Sequence, residues 1–278
     1  MRFVQQNRKR RSDFYYLGMA KKYIVANWKN HPDSWAEAES ILNYIDEHLK
    51  GIANQESSLV VCPPFVFLEE VSRVIQLSQL TQKAELGAQD IAINDSISLT
   101  GGISGMMLVK LGARYVIIGH SERRWPRGES AGTGESNQIV NLKIKQALAD
   151  GLIPIVCVGE KDRADDYIKW LKQQVGATFA GLSGDQISRC LIAYEPVWAI
   201  STNPDARPDT PESALESISA IRDFLAENHS PADVRILYGG SVTEKNAKDF
   251  LSLSEIAGVL VGGASIRKEE FVQIIKQV

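Results

Sequence analysis

From Tyr23 onward, short apolar runs rich in β-branched residues alternate with longer segments whose apolar residues recur at helical spacing. The runs are YIVAN, SLVVCPP, ELGAQD, YVIIGHS, IPIVCVGE, CLIAYEP, RILYGG and GVLVGGA, eight in all. Apolar residues at consecutive positions are the pattern of a strand buried on both faces. Between the runs, Trp35, Ala38, Leu42, Ile45 and Leu49 share one helical face. Ile139, Leu142, Ile144, Ala147 and Leu148 predict a second stripe, on a helix ending at Gly151. Pro211-Glu212 opens a third helix, whose face carries Leu215, Ile218, Ile221 and Leu225. Eight buried strands, most of them followed by a helical pattern, predict an α/β chain closed into a single-domain (β/α)8 barrel over residues 19–278. The competing open, doubly wound sheet usually shows GxGxxG after one strand, and neither YGGSV nor VGGAS has that spacing.

A barrel of this kind gathers the residues that end its strands around one mouth. Here those are Asn27 and Lys29; Cys62-Pro63-Pro64; Gln89-Asp90; His120-Ser121-Glu122; Gly159-Glu160; Glu195; Gly239-Gly240-Ser241; and Gly262-Gly263. Taken singly each has a plain reading: a solvated carboxylate, a satisfied imidazole, a turn glycine. Brought together they suit one chemistry. Two glycine pairs let backbone N–H groups approach an anion, and a following helix N-terminus favours negative charge. A carboxylate opposite a hydrogen-bond donor can move a proton between carbons beside a carbonyl. Lys29 would face the developing enediolate oxygen.

The totals exclude more than they assign. With 44% hydrophobic residues a full core is available. A net charge of −3 argues against a chain built around nucleic acid or an anionic membrane. Cys62, Cys157 and Cys190 have no CxxC spacing, which gives no metal signature and suits a reducing, cytoplasmic setting. No apolar run approaches a membrane span. Residues 1–18 are different in kind, with a basic NRKRR cluster and no apolar stretch typical of a secretory signal. They read as an upstream start or a disordered tail; a transit peptide or a nucleic-acid arm is the sharper alternative.

The motifs ANWKN, YVIIGHSERR, IVCVGE, AYEPVWAI, LYGGSV and GVLVGGAS, in this order, resemble those of the triosephosphate isomerase family from residue 21 to the end. The resemblance implies the TIM barrel and a cofactor-free, metal-free aldose–ketose isomerase acting on a triose phosphate. It implies Glu195 as the proton-moving base, His120 as the neutral imidazole that polarises the carbonyl, Asn27 and Lys29 as the floor, and Glu122 as a supporting carboxylate. It further implies phosphate contacts from the N–H groups of Ser201, Ser241, Gly262 and Gly263. Pro196, Val197 and Trp198 would form the lid hinge, with Glu160 and Trp198 securing the lid. Gln89 and Cys157 lie near the floor, and Thr100 would reach into a partner subunit of a homodimer.

Departures from the family pattern are local. The lid tip reads STNPDARPDTPE, longer than usual and without glycine, so Ser201 would be strained if a positive φ were required there. Thr100-Gly101-Gly102 lacks the usual carboxylate, WPRGESAGTGES adds residues after SERR, and Ala257 replaces a usual Asp. Two other functions compete: an isomerase for a longer tetrulose phosphate, suggested by the lid, and a non-catalytic phosphate-binding barrel, which would be expected to lack Glu195, His120 or Lys29.

Overall fold

The computed structural model describes residues 21–50, 57–78, 84–94, 98–126, 134–201, 203 and 205–278. The basic segment 1–18, the middle of the inserted WPRGESAGTGES stretch, and Thr202 and Pro204 of the lid lie outside the described residues.

All eight apolar runs are strands: β1 (Lys22–Asn27), β2 (Ser57–Cys62), β3 (Ala84–Ala88), β4 (Ala113–Ile118), β5 (Ile153–Val158), β6 (Leu191–Tyr194), β7 (Arg235–Tyr238) and β8 (Gly258–Val261). They pair in parallel, in sequence order, and β8 returns to β1 to close the barrel. The main helices are α1 (Trp35–His48), α2 (Leu68–Leu77), α3 (Gly105–Lys110), α4 (Ser121–Arg124), α5 (Asn137–Ala149), α6 (Tyr167–Thr178), α7 (Gly184–Ser188), α8 (Pro211–His229), α9 (Ala247–Leu251) and α10 (Lys268–Ile275).

Consecutive apolar residues are needed because each strand faces two cores. Val25, Val60, Ile117, Ile155, Ala193, Leu237 and Leu260 fill the barrel interior. Their neighbours Ile24, Val61, Val116, Val156, Ile192, Ile236 and Val261 pack under the helices. Helix starts follow side-chain caps. Ser34 accepts the Glu37 N–H, Ser136 that of Ile139, and Thr210 that of Ser213 with Pro211 in the first turn. Ser183 and Gln186 form a reciprocal capping box at α7.

On α5 the predicted face holds at Ile144, Ala147 and Leu148, which are buried, but Leu142 is exposed, while Asn141 and Lys143 are buried. Polar partners account for those two burials. Asn141 donates to the carbonyls of Thr178 (2.8 Å) and Ala180 (3.0 Å), and Lys143 Nζ meets Asp90 Oδ1 (2.5 Å) and Glu135 Oε1 (2.7 Å). Val140, Ile144 and Ala147 carry the apolar contact.

Candidate active site

β1 ends in a left-handed turn. Lys29 has φ 56°, a conformation that costs a non-glycine residue about 1–2 kcal/mol. Neighbours hold it there: its N–H donates to Asn27 Oδ1 (3.1 Å), and its carbonyl accepts from Gln89 Nε2 (2.7 Å). Gln89 Nε2 also reaches the Cys62 carbonyl (3.0 Å), so the ends of β1, β2 and β3 are tied together beneath the lysine. Lys29 Nζ then meets Glu122 Oε1 at 2.5 Å.

After β4, His120 caps the short α4, and its Nδ1 accepts the Glu122 N–H (3.3 Å). In the neutral ring the proton therefore sits on Nε2. Nε2 stands 3.0 Å from Glu195 Oε1, and the other carboxylate oxygen accepts the Ser121 N–H at 2.9 Å. Glu195 is 2% exposed, so water does not screen these contacts. Burial pushes its carboxyl up; the His120 ring, the Ser121 N–H and the Lys29 charge together outweigh burial and hold it below the usual value. Gly159 makes room: a Cβ there would lie 1.9 Å from the Glu195 carbonyl oxygen. The Cys157 thiol adjoins the same carboxylate, and its own ionisation is pushed well up by burial.

The segment expected to form a lid leaves this carboxylate through Pro196 and the short helical turn Val197–Ala199. Glu160 Oε1 accepts from both Tyr194 Oη and Trp198 Nε1, each at 2.8 Å. The Ser201 N–H donates to Ser241 Oγ at 2.8 Å. Ser201 has no positive φ, so the strain that one would bring is not incurred. Among the described non-glycine residues only Lys29 and Ser230 have positive φ. The longer tip turns instead through an Asn203 N–H to Ile200 carbonyl bond of 2.8 Å.

Asn27, Lys29, His120, Glu195, Ser241 and the Gly262-Gly263 pair bound one cavity of about 120 Å³. Ser201 lines it as well, at the lid side. Larger clefts exist, one of about 720 Å³ between α6 and α8, but that one lies on the helical exterior, away from the strand ends. Thr100 is elsewhere, in an exposed turn closed by a Gly102 N–H to Leu99 carbonyl bond of 3.0 Å.

Several supports gave no signal in the sequence. The Arg124 guanidinium is buried and donates to the carbonyls of Gly119 (2.7 Å) and Cys157 (3.0 Å), clamping β4 to β5. Gln174 Oε1 accepts the Gly159 N–H from α6 (2.8 Å).

With one acid–base pair, one lysine and a glycine-lined end in a closed pocket, the arrangement can bind a small anionic carbonyl compound and shift its protons. The sequence model of the triosephosphate isomerase family matches residues 22–278. The chain is 40% identical over 264 residues to a triosephosphate isomerase of Dictyoglomus thermophilum, covering 93% of this chain and all of the relative. It is 40% identical over 263 residues to one of a Thermoanaerobacter species, covering 92% of this chain and 99% of that one. A crystal structure of the triosephosphate isomerase from Bartonella henselae superposes with a TM-score of 0.76 at 28% identity, over 92% of this chain and 98% of the other. The chain belongs to the triosephosphate isomerase family.

Proposed function

We propose that the protein interconverts dihydroxyacetone phosphate and D-glyceraldehyde 3-phosphate through an enediolate, in glycolysis and gluconeogenesis. The observation that carries this reading is the meeting of Glu195 and His120 at 3.0 Å in a cavity that also holds Lys29 and the Gly262-Gly263 pair. Glu195 takes the proton from the carbon beside the carbonyl and returns it to the neighbouring carbon. His120 Nε2–H donates to the carbonyl oxygen as negative charge grows there, and Lys29 adds a full positive charge, oriented by Glu122. Asn27 holds the lysine turn. The N–H groups of Ser201, Ser241, Gly262 and Gly263 take the phosphate; that of Ser201 is engaged by Ser241 Oγ and must exchange partners. Pro196, Val197 and Trp198 form the hinge of a lid that keeps water from the enediolate.

The same reading makes the protein a cytoplasmic homodimer. Its support is the exposed Thr100 turn together with the exposed apolar side chains Phe65, Val66, Leu99, Met106 and Met107 on successive βα units. Among the described residues no helix is long and apolar enough to cross a membrane.

The test is a coupled assay with triose and tetrulose phosphates side by side, for wild type and Glu195→Gln. Triose turnover that falls about 10²–10⁴-fold in the variant is expected for loss of a general base. Preference for the tetrulose phosphate would instead favour the longer-substrate alternative, and near-wild-type turnover by Glu195→Gln would remove the assigned base.

A further inference from the structure

The Gly262-Gly263 pair lies between two cations from opposite ends of the chain. A Cβ on Gly262 would lie 3.2 Å from Lys29 Cε and 3.6 Å from its Nζ; one on Gly263 would lie 3.6 Å from Arg267 Nη1. Both cations line the cavity. Lys29 is turned toward Glu122. Arg267 is not: its Nε meets Glu270 Oε2 at 2.5 Å, and its Nη1 donates to the Gly263 carbonyl at 3.0 Å. A guanidinium has five N–H donors, so these two contacts leave an outer edge of it unclaimed.

The carbonyls of the glycine pair are both tied back. Gly262 O accepts from the Ser265 N–H (2.8 Å) and from Ser265 Oγ (2.7 Å), and Ser265 is fully buried. Gly263 O accepts from Arg267. In a planar trans peptide the carbonyl and the following N–H point in opposite directions. Fixing the two oxygens therefore fixes the N–H groups of Gly263 and Ala264, two residues that line the cavity.

We infer that Arg267 is a further substrate-binding residue: Ser265 fixes the peptide that presents the Gly263 N–H, Arg267 fixes the next one, which presents the Ala264 N–H, and the unclaimed guanidinium edge of Arg267 supplies the positive charge that selects a dianionic phosphate ester. This rests on the reading of the cavity as a phosphate-ester site. Backbone N–H groups alone distinguish weakly between one and two negative charges; a full charge at the same end does so strongly. Glu270 orients the guanidinium and partly offsets its charge.

The probe is inorganic phosphate, titrated above its second ionisation and followed by the amide NMR signals of Gly262 and Gly263. Arg267→Gln keeps a donor for the Gly263 carbonyl and removes the charge. Its Kd is expected to rise about tenfold, the low end for a charged hydrogen bond because the side chain is 58% exposed. Arg267→Lys is expected to recover most of that loss. The wild-type affinity should fall more steeply with added KCl than that of Arg267→Gln. For a triose phosphate substrate the loss should fall on KM rather than kcat, as for binding shared by ground and transition states. An unchanged Kd in Arg267→Gln, no recovery in Arg267→Lys, or equal salt dependence overturns the assignment of Arg267 alone. Absence of phosphate binding to the wild type overturns the functional reading of the cavity, and this inference with it.

Discussion

His120 Nε2 and Glu195 Oε1 stand 3.0 Å apart, and the second oxygen of that carboxylate is held by the Ser121 N–H. The proposed base and its proposed electrophilic partner thus engage each other before substrate arrives. A substrate entering between them must take over the imidazole donor and release the carboxylate. On the proposed reading, catalysis begins with an exchange of hydrogen bonds inside a buried pocket, where each is worth more than in water.

This pairing sets the pH response. Glu195 should titrate below the ordinary glutamate range. With its folded value depressed, it adds stability at neutral pH, lost as the pH falls through the lowered value. In His120→Ala the burial remains and the main opposing partner is gone, so the same carboxyl should titrate higher than in the wild type. Carbon-13 NMR of labelled glutamate reads this directly, free of the substrate's own phosphate ionisation near about pH 6. An unchanged value would mean that His120 does not govern the base.

Gly159→Ala should disturb the same group from the backbone side, because its Cβ would lie 1.9 Å from the Glu195 carbonyl oxygen. The strands β5 and β6 must part to accept it. A loss of about 1–3 kcal/mol is expected by urea denaturation, with a fall in kcat as the carboxylate shifts. Wild-type stability and turnover together would show that the two strands have slack at this point.

Thr100→Arg tests assembly. If the exposed Thr100 turn enters a partner subunit, the variant buries a charge there and releases monomers. Sedimentation should show a smaller species, and activity should fall with it. A fully active wild-type monomer would remove the dimer from the reading.

The lid gives a prediction of another kind. Its described residues are internally bonded, Asn203 N–H to the Ile200 carbonyl and Arg207 N–H to the Trp198 carbonyl (3.1 Å), with Pro208 and Pro211 stiffening the return. It should move as a flap rather than order from a flexible loop. Replacing Thr202–Asp209 by two glycines should leave barrel stability unchanged, slow isomerisation and raise the share of turnovers that end in phosphate elimination. Product partitioning by NMR checks this; unchanged partitioning would make the stretch an ordinary surface loop.

The barrel was legible because each strand must be apolar on both faces, which leaves short uninterrupted runs that an amphipathic helix does not produce. The site residues were legible because the fold places strand ends together, so Asn27, His120 and Glu195 needed no contact information. What escaped has a common cause. On α5 the burial of Asn141 and Lys143 rests on Thr178 and Asp90, partners from distant segments that a local periodicity cannot see. Whether Ser201 needs a positive φ depends on the turn that follows it, which the sequence does not display. Arg124, Gln174 and Arg267 act through backbone carbonyls and N–H groups, which leave no mark on the sequence of their targets.

The site also lies across the seam where the chain meets its own beginning. β8 pairs with β1, Ser265 Oγ approaches the Asn27 carbonyl (3.4 Å), and Lys22 Nζ holds the carbonyls of Leu253 (2.7 Å) and Ile256 (2.5 Å). During synthesis, Lys29 emerges early and waits for nearly the whole chain before Gly262 is made. A nascent or truncated barrel that stops short of β8 therefore has its proposed base, imidazole and lysine but lacks the Gly262-Gly263 side of the proposed phosphate site. The last turn of the chain both closes the barrel and completes the pocket.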